Sequence, residues 1–312
     1  MKVAIIGAGN VGLEVFRELQ KTREVHEITL IGRNLEKLRA EVRDHRDAAV
    51  LRPTPTPKLS CGGYAMTKDA DILVYAAGSA KIKSDRMELL EENCRIAEEV
   101  FSEVDNYNRD AIVICLSNPL DVITTAVRKY TGRPHGRVLG TGTMLDSARL
   151  IRYVADLLDI SERSVNMFVV GEHGNSSVTL LSSFRIIGMT LDEYFSLEVG
   201  DERTVDSQRL TSAIRAAGRK IANGKGFTSV GVAAAASRLV SAIAADAREI
   251  LPVSVVLQGE YGVRDIALSV PVVVGRNGAE AVKEIKMTAE EEAAFQDSAQ
   301  VVREACRAVG LV

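Results

Sequence analysis

The sequence predicts an α/β protein whose first half forms a doubly wound parallel sheet and whose second half forms an α+β unit. Short β-branched runs alternate with helix-like segments from residue 3 to residue 140, a spacing typical of parallel strands joined by right-handed crossovers. A glycine-rich turn joins the first strand to its helix. After residue 143 amphipathic and alanine-rich helices accompany longer apolar runs. We therefore expect two domains, at 1–143 and 144–312.

The elements of the first half follow in strict alternation. The predicted strands are 3–6, 27–31, 71–78, 111–116 and 137–140, and the predicted helices are 10–20, 34–45, 85–104 and 121–130. The one proline cluster, RPTPTPK at 52–58, is predicted to be a surface loop.

The second half begins with the amphipathic helical segment TMLDSARLIRYVADLL. VNMFVV and VTLLSSFRIIG are predicted strands, as are SVVLQG and IALSVPVVVG, and a charged helix starts near 288. The alanine-rich stretch from 230 contains Arg238 and Asp246, so it predicts a packed helix of a soluble protein and not a membrane span.

Composition excludes several classes of function. The net charge is -3, aromatic residues make up 4%, and tryptophan is absent, which argues against nucleic acids and acidic membranes as partners. The four cysteines lie far apart without a CxxC pair, as expected for reduced thiols in a cytoplasmic protein. The four histidines form no HExxH motif, so no metal site is expected.

The segment GAGNVG predicts a dinucleotide site. Gly7, Gly9 and Gly12 fit GxGxxG between a predicted strand and a predicted helix. In this motif the first glycine permits the turn, the second admits a pyrophosphate and the third lets the helix pack on the strand. In a strand–helix–strand unit of this size, the motif indicates a Rossmann domain.

The end of the second predicted strand bears on the choice of cofactor. The acid that would hold the ribose 2′-hydroxyl of NAD is missing, and Gly32 and Arg33 stand in its place. A guanidinium suits a 2′-phosphate and a carboxylate would repel it. We therefore expect a preference for NADP(H), with NAD as the alternative if Arg33 is only a solvated charge.

Four placements of polar residues indicate chemistry. His173 follows an apolar run in GEHGNSS, and Asn118 follows the buried-type strand 111–116, at the sheet edge where such folds bind ligands. Asp146 and Arg149 are three residues apart on a predicted helix and share a face. Arg86 begins a charged helical stretch. Singly, each could be an ordinary turn residue, ion pair or surface charge.

Together these segments resemble the L-lactate/malate dehydrogenase superfamily. GAGNVG, AAGxxK…DRxxLLxxN, SNPLD, GTGTMLDSAR and GEHGNS occur in that family's order and approximate spacing, over almost the whole chain. Asn175 in GEHGNS, together with NGKGFTSVG at 223–231, resembles the L-2-hydroxyisocaproate dehydrogenase branch most.

The resemblance implies a role for each matching residue. His173 would exchange the hydroxyl proton, with Asp146 holding its imidazole. Arg149 would grip the substrate carboxylate through paired hydrogen bonds. Arg86, on a mobile loop, would polarise the 2-oxo group. Asn118 and Thr228 would also contact the substrate. The residues expected to contact the cofactor are Gly7, Gly9, Asn10, Val11, Gly12, Gly32, Arg33, Asn34, Lys37, Ala77, Gly78, Ser117, Asn118 and Thr141.

The substrate side chain depends on the segment from Gly78 to Arg86, which is about one residue shorter than is usual in the resembling family. The aligned position is Ala80 or Lys81. Ala80 would leave space for a bulky apolar group, whereas Lys81 could bind a second carboxylate. We expect a medium or branched 2-oxo acid, with L-lactate or malate dehydrogenase activity as the alternative.

Two other classes compete with a dehydrogenase. An NAD-dependent glycosidase would need a metal-binding Cys/His pair and a longer chain, and the sequence has neither. A non-catalytic NADP-binding sensor would have no use for His173 and Asp146 beside two arginines. The family resemblance also implies a homodimer or homotetramer.

Overall fold

The computed structural model describes residues 1–79, 86–196, 210, 218 and 220–312. Nine strands form one large sheet in the order β13-β12-β11-β6-β5-β4-β1-β2-β3. Six of them are β1 (Lys2–Ile6), β2 (Glu27–Ile31), β3 (Lys58–Gly62), β4 (Ile72–Tyr75), β5 (Ile112–Cys115) and β6 (Val138–Gly140). These six pair in parallel throughout, which confirms the doubly wound α/β fold expected from the sequence.

Helices connect the parallel strands. They are α1 (Asn10–Leu19), α2 (Leu35–Ala49), α3 (Arg86–Val104) and α4 (Leu120–Thr131). The central strands are buried on both faces: all four residues of β4 and all four of β5 are buried. This is why they are continuous apolar runs in the sequence and do not alternate with polar residues.

The second half of the chain extends the same sheet. Strands β11 (Glu249–Gln258), β12 (Arg264–Gly275) and β13 (Gly278–Val282) form antiparallel pairs, and Ser254 of β11 pairs with Gly140 of β6. In the described part of this half, the α-helices are α5 (Met144–Leu158), α6 (Leu191–Ser196), α7 (Val230–Ala244) and α8 (Ala289–Ala308). The α+β second half is therefore joined edge to edge with the parallel sheet, which places the carboxyl ends of β5 and β6 beside β11.

One apolar core runs through both halves. The core includes residues of the parallel strands, of α7 and of β11 and β12. The hydroxyl of Thr22, three residues after α1, forms a 3.0 Å hydrogen bond with that of Ser237 in α7. A smaller core lies under α5 and includes Leu150, Val154 and Phe184. The division at 143/144 stays a prediction.

Three expectations for local structure were wrong in part. VNMFVV forms two short strands, β7 (Val165–Asn166) and β8 (Val169–Val170), which pair with different partners. VTLLSSFRIIG is divided into β9 (Val178–Thr179) and β10 (Arg185–Ile186) by a turn of 3₁₀ helix at Leu181–Ser183. Strand β3 was missed, because its sequence KLSCG is only half apolar and it pairs with β2 alone, at the edge of the sheet.

The proline cluster is a loop, and β3 begins at its last residue, Lys58. Among the helices that the structure describes, none combines the length and the apolar character that crossing a bilayer requires.

Candidate active site

The glycine loop between β1 and α1 needs two of its glycines for the fold. Gly7 has a φ of 109°, and a Cβ there would lie 2.7 Å from the carbonyl carbon of Ala76. A Cβ on Gly12 would overlap the carbonyl oxygen of Gly7. A Cβ on Gly9 would meet no atom within 4 Å. Gly9, which precedes the first turn of α1, therefore keeps open space where a pyrophosphate can approach the backbone.

A cleft of about 540 Å³ opens beside this loop. Of the residues expected to bind the cofactor, those that line the cleft are Gly7, Gly9, Gly32, Arg33, Asn34, Lys37, Ala77 and Gly78. Asn10, Val11 and Gly12 lie in the first turn of α1 and do not line it. The cleft, its helix N-terminus and the space at Gly9 fit a nicotinamide dinucleotide.

A second cavity, of about 240 Å³, lies at the carboxyl ends of β5 and β6. Five of the expected residues line it: Asn118, Thr141, Arg149, His173 and Thr228. Ser117 lies next to this group, and its hydroxyl donates a 2.6 Å hydrogen bond to the carbonyl oxygen of Ala77, which lines the dinucleotide cleft. The two cavities thus lie at neighbouring strand ends, where a doubly wound sheet binds its ligands.

The imidazole of His173 is fixed by Asp146. The distance from Nδ1 of His173 to Oδ2 of Asp146 is 2.7 Å. An ionised carboxylate only accepts hydrogen bonds, so Nδ1 carries the proton and Nε2 is left for proton exchange. The side chain of His173 is 26% exposed, so it is reachable from the cavity.

Burial and Asp146 act in opposite directions on the pKa of His173. Burial alone lowers this pKa, but the hydrogen bond and the charge of Asp146 outweigh it, so the pKa lies above its ordinary value of 6.5. For Asp146, burial raises the pKa, and His173 and Arg149 together lower it further than burial raises it. The pair is therefore held as imidazolium and carboxylate more firmly than either group would be alone.

Arg149 is the third member of the group that it forms with His173 and Asp146. Its Nη1 donates a 3.2 Å hydrogen bond to Oδ1 of Asp146, so one carboxylate orients both the histidine and the arginine. The Nε of Arg149 is buried and has no hydrogen-bond partner among the residues that the structure describes. A buried guanidinium N–H without a partner is costly, and a carboxylate in the cavity would satisfy it. The site is therefore suited to an anionic ligand.

Local packing explains why Asp146 and His173 meet. At the start of α5, the hydroxyl of Thr143 donates to the carbonyl oxygen of Val169, and the hydroxyl of Ser147 accepts from the N–H of Val169 at 3.0 Å. These bonds fix α5 against β8. The chain then turns at Gly171 (φ 85°), which forms a pair of hydrogen bonds with Ser269 of β12. His173 follows two residues later.

Three residues that shape the site were not assigned a role from the sequence. The side chain of Asn93 accepts from the N–H of Ser79 and donates to the carbonyl oxygen of Asn118, at 2.8 and 2.7 Å. It thereby ties together two loops at the site. Asp121, described below, holds the backbone of His173, and Ser254 in turn donates a hydrogen bond to Asp121. Asn93 ends the motif DRxxLLxxN and Asp121 ends SNPLD, so both motifs contained the signal.

Three of the expected residues cannot be placed. Ala80 and Lys81 lie outside the described residues, and so does the side chain of Arg86, whose backbone begins α3. Within the described ranges, no group of three or more His, Cys, Asp or Glu side chains could hold a metal ion.

Two family models match the chain. Residues 1–140 match the lactate/malate dehydrogenase NAD binding domain, and residues 143–309 match the lactate/malate dehydrogenase alpha/beta C-terminal domain. Similar proteins include an L-lactate dehydrogenase of Clostridium perfringens, 33% identical over 303 residues, which are 97% of this chain and 95% of the relative. An L-lactate dehydrogenase of Priestia megaterium is 33% identical over 305 residues, again 97% of this chain and 95% of the relative.

A further relative is L-lactate dehydrogenase 2 of Clostridium acetobutylicum, 32% identical over 293 residues, which are 93% of this chain and 91% of the relative. The two family models together span both halves of the sheet and the cavity residues Asn118, Arg149, His173 and Thr228. The chain therefore belongs to the lactate/malate dehydrogenase family, and it is an NAD-dependent oxidoreductase that acts on a CH–OH group.

Proposed function

We propose that the chain is an L-2-hydroxyacid dehydrogenase for medium or branched apolar substrates, with a preference for NADP(H). One observation carries the proposal: one small cavity is lined by His173, which Asp146 holds, and by Arg149, whose buried Nε has no hydrogen-bond partner within the described ranges. A 2-hydroxy acid offers this arrangement a carboxylate for Arg149 and, next to it, a hydroxyl for His173. The names of the relatives support the same reaction class.

In the proposed reaction the bound nicotinamide supplies or accepts the hydride. Arg149 binds the substrate carboxylate and so fixes which atoms face His173. In reduction, Nε2 of His173 gives its proton to the 2-oxo oxygen as that oxygen gains charge. In oxidation, the same nitrogen takes the proton from the hydroxyl. Asp146 stabilises the imidazolium in both directions, and we assign Arg86 to the 2-oxo oxygen.

The walls of the cavity support an apolar substrate side chain. Of its described lining residues, Arg149 alone carries a permanent charge, and its apolar neighbours include Leu120, Leu145 and Val232. A single cation matches a single carboxylate, and apolar walls gain from burying an alkyl group. The resemblance to L-2-hydroxyisocaproate dehydrogenases points the same way. A lactate or malate dehydrogenase is the alternative, and Lys81 would favour malate.

The cofactor preference is argued from the rim of the larger cleft. Gly32, Arg33 and Lys37 line it, and no carboxylate stands at the end of β2 to hold a ribose hydroxyl or repel a 2′-phosphate. The carboxylates that line the cleft, Glu99 and Glu103, belong to α3. Two cations beside a glycine favour the phosphate of NADP(H).

We further propose a homodimer or homotetramer, as the family membership suggests, with a domain boundary at 143/144 and a cytoplasmic location. Light scattering of the purified protein tests the assembly, and a monomer at micromolar concentration would contradict it.

A substrate and cofactor panel tests the function. The purified protein is mixed with NADH or NADPH and with pyruvate, 2-oxoisocaproate, phenylpyruvate or oxaloacetate, and the loss of reduced-nicotinamide absorbance is followed. We expect the highest kcat/KM with 2-oxoisocaproate and NADPH. Oxaloacetate as the best substrate would refute the apolar assignment, and a clear preference for NADH would refute the cofactor assignment.

Two further observations test the cofactor preference and the non-catalytic alternative. Arg33→Ser is the matched variant for the cofactor, and it is expected to lower kcat/KM with NADPH while leaving that with NADH unchanged. Binding of NADPH without turnover of any of the four oxo acids would favour the non-catalytic sensor.

A further inference from the structure

One buried carboxylate beside the site has no role in the reaction proposed above. Asp121, in the first turn of α4, is 2% exposed. Its Oδ2 accepts a hydrogen bond from the backbone N–H of His173 at 2.7 Å, and its Oδ1 accepts one from the hydroxyl of Ser254 at 2.6 Å. Both oxygens are thus used, and both partners come from the second half of the chain.

These contacts connect the two sides of the reaction. Asp121 is three residues from Asn118, which lines the cavity on the nucleotide-binding side. Ser254 lies in β11 directly opposite Gly140 of β6, at the junction of the parallel and antiparallel parts of the sheet. The carboxylate therefore fixes the distance between the loop that carries Asn118 and the loop that carries His173. Proton and hydride transfer both require that distance to be held closely.

The charge of Asp121 acts on the same histidine. The groups that act on the charge of His173 are Asp146 and Arg149 on α5 and Asp121 on α4, and both carboxylates raise its pKa. Burial is the main reason that the pKa of Asp121 is raised to about 6, a net value that already includes the lowering by Ser254 and His173.

Two more titratable groups are coupled to Asp121. The charge of Glu172 raises the pKa of Asp121 further. Burial raises the pKa of the Cys306 thiol on α8 to about 12, and the charge of Asp121 contributes to that rise. At neutral pH Asp121 is therefore mostly ionised beside a neutral thiol, and its negative charge faces the histidine.

We infer that Asp121 is a positioning residue for His173, one that anchors its backbone to the nucleotide-binding half and supplies a second negative charge to its imidazolium. The inference deepens the proposed function, because it rests on His173 as the proton carrier. Asp146 orients the imidazole ring of His173, and Asp121 holds the backbone N–H of the same residue. The helix N-terminus at α4 favours the ionised form of Asp121.

The test compares Asp121→Asn with the unchanged protein. Asparagine keeps the shape and can still accept from the N–H of His173, so it removes the charge and keeps that bond. Its NH2 then faces the hydroxyl of Ser254, which must accept instead of donate. We expect the pKa of His173 to fall by about one unit, which is a tenfold loss of proton affinity. At pH values above the pKa of His173 in the unchanged protein, kcat for oxo-acid reduction should fall roughly tenfold, while KM for the oxo acid and Kd for the cofactor change less than about twofold.

Two further variants separate positioning from charge. Ser254→Ala removes the distal hydrogen bond and leaves the contact with His173, so it should shift the pKa of His173 less than Asp121→Asn does. Asp105→Asn is the matched control, because Asp105 also pairs with a buried partner, Arg133, but lines neither cavity. Asp105→Asn should leave both the pKa of His173 and kcat unchanged.

The decisive readout does not depend on turnover. The chain has only four histidines, so the ring proton of His173 can be assigned by its loss in His173→Ala and titrated by NMR in the cofactor-free protein. A lower pKa in Asp121→Asn supports the inference even if no oxo acid is reduced, in which case the proposed function alone fails. An unchanged pKa of His173, or an equal shift in Asp105→Asn, would overturn it.

Discussion

The replacement Asp146→Asn probes the contact on which the chemistry depends. The Asp146 carboxylate lies 2.7 Å from Nδ1 of His173 and 3.2 Å from Nη1 of Arg149. Asparagine has nearly the same shape, and its amide oxygen can still accept from Arg149. Its amide NH2 then faces Nδ1 of His173 in place of a carboxylate oxygen, so the substitution removes both the acceptor and the negative charge that raise the pKa of His173. The substitution therefore separates proton affinity from substrate binding.

The magnitude follows from the burial of the pair. The side chains of His173 and Asp146 are 26% and 12% exposed, so solvent screens their interaction only in part. A hydrogen bond between charged groups contributes roughly 1.5 to 3 kcal/mol. One pKa unit corresponds to about 1.4 kcal/mol, so the pKa of His173 should fall by about one to two units. At pH values above the pKa of His173 in the unchanged protein, reduction of the oxo acid should slow by roughly 10- to 100-fold.

The assay is the pH dependence of kcat/KM for oxo-acid reduction, followed by reduced-nicotinamide absorbance, with cofactor Kd measured by fluorescence titration. We expect the descending limb of the profile to move to lower pH in Asp146→Asn, with Kd for the cofactor unchanged. A profile that superimposes on that of the unchanged protein would refute the role assigned to the Asp146 carboxylate.

Three more predictions follow from the geometry. Arg149→Lys should raise KM for the oxo acid at least about tenfold, because lysine lacks the paired N–H donors; an unchanged KM would remove Arg149 from the carboxylate site. Reduction requires protonated His173, and the pKa of this residue is raised above 6.5. The kcat/KM for reduction should therefore stay constant up to pH 6.5 and fall only above it, whereas the kcat/KM for oxidation should rise as the pH increases through the same range. A fall in kcat/KM for reduction below pH 6.5 would contradict this. Gly9→Ala should weaken cofactor binding with little change in Tm, since its Cβ meets open space, whereas Gly12→Ala should destabilise the apoprotein by about 1 to 3 kcal/mol; equal Tm values for the two variants would contradict the packing argument.

The parallel half could be predicted from the sequence because each element is specified locally. Strand β2 was placed at its observed bounds, Glu27–Ile31, and the motif at Gly7 falls between β1 and α1 as expected. Buried parallel strands are continuous apolar runs between helical segments, and this signal survives without any knowledge of their neighbours.

The second half was harder to predict because its pairing is not local. VNMFVV has the composition of one strand, but its two ends pair with β10 and β9 in separate sheets. Nothing in those six residues indicates two partners. Likewise, the predicted strands that correspond to β11 and β12 were assigned to a second domain, whereas Ser254 joins β11 to the parallel sheet. Strand β13 was not predicted.

The same limit applies to the site. His173, Asp146 and Arg149 were expected to act together, and the structure brings them together across 27 residues of chain. Asp121 was missed because its two partners lie 52 and 133 residues away, and a single acidic residue in the first turn of a helix ordinarily needs no further explanation.

The measurement that tests the central claim most directly is the turnover of His173→Ala, set beside its affinity for the cofactor. A general acid–base group contributes about 10²- to 10⁴-fold, so kcat for oxo-acid reduction should fall by at least about 100-fold while Kd for the reduced dinucleotide stays within about twofold. Turnover close to that of the unchanged protein, with the dinucleotide bound equally well, would show that the proton passes through another group and would contradict the account.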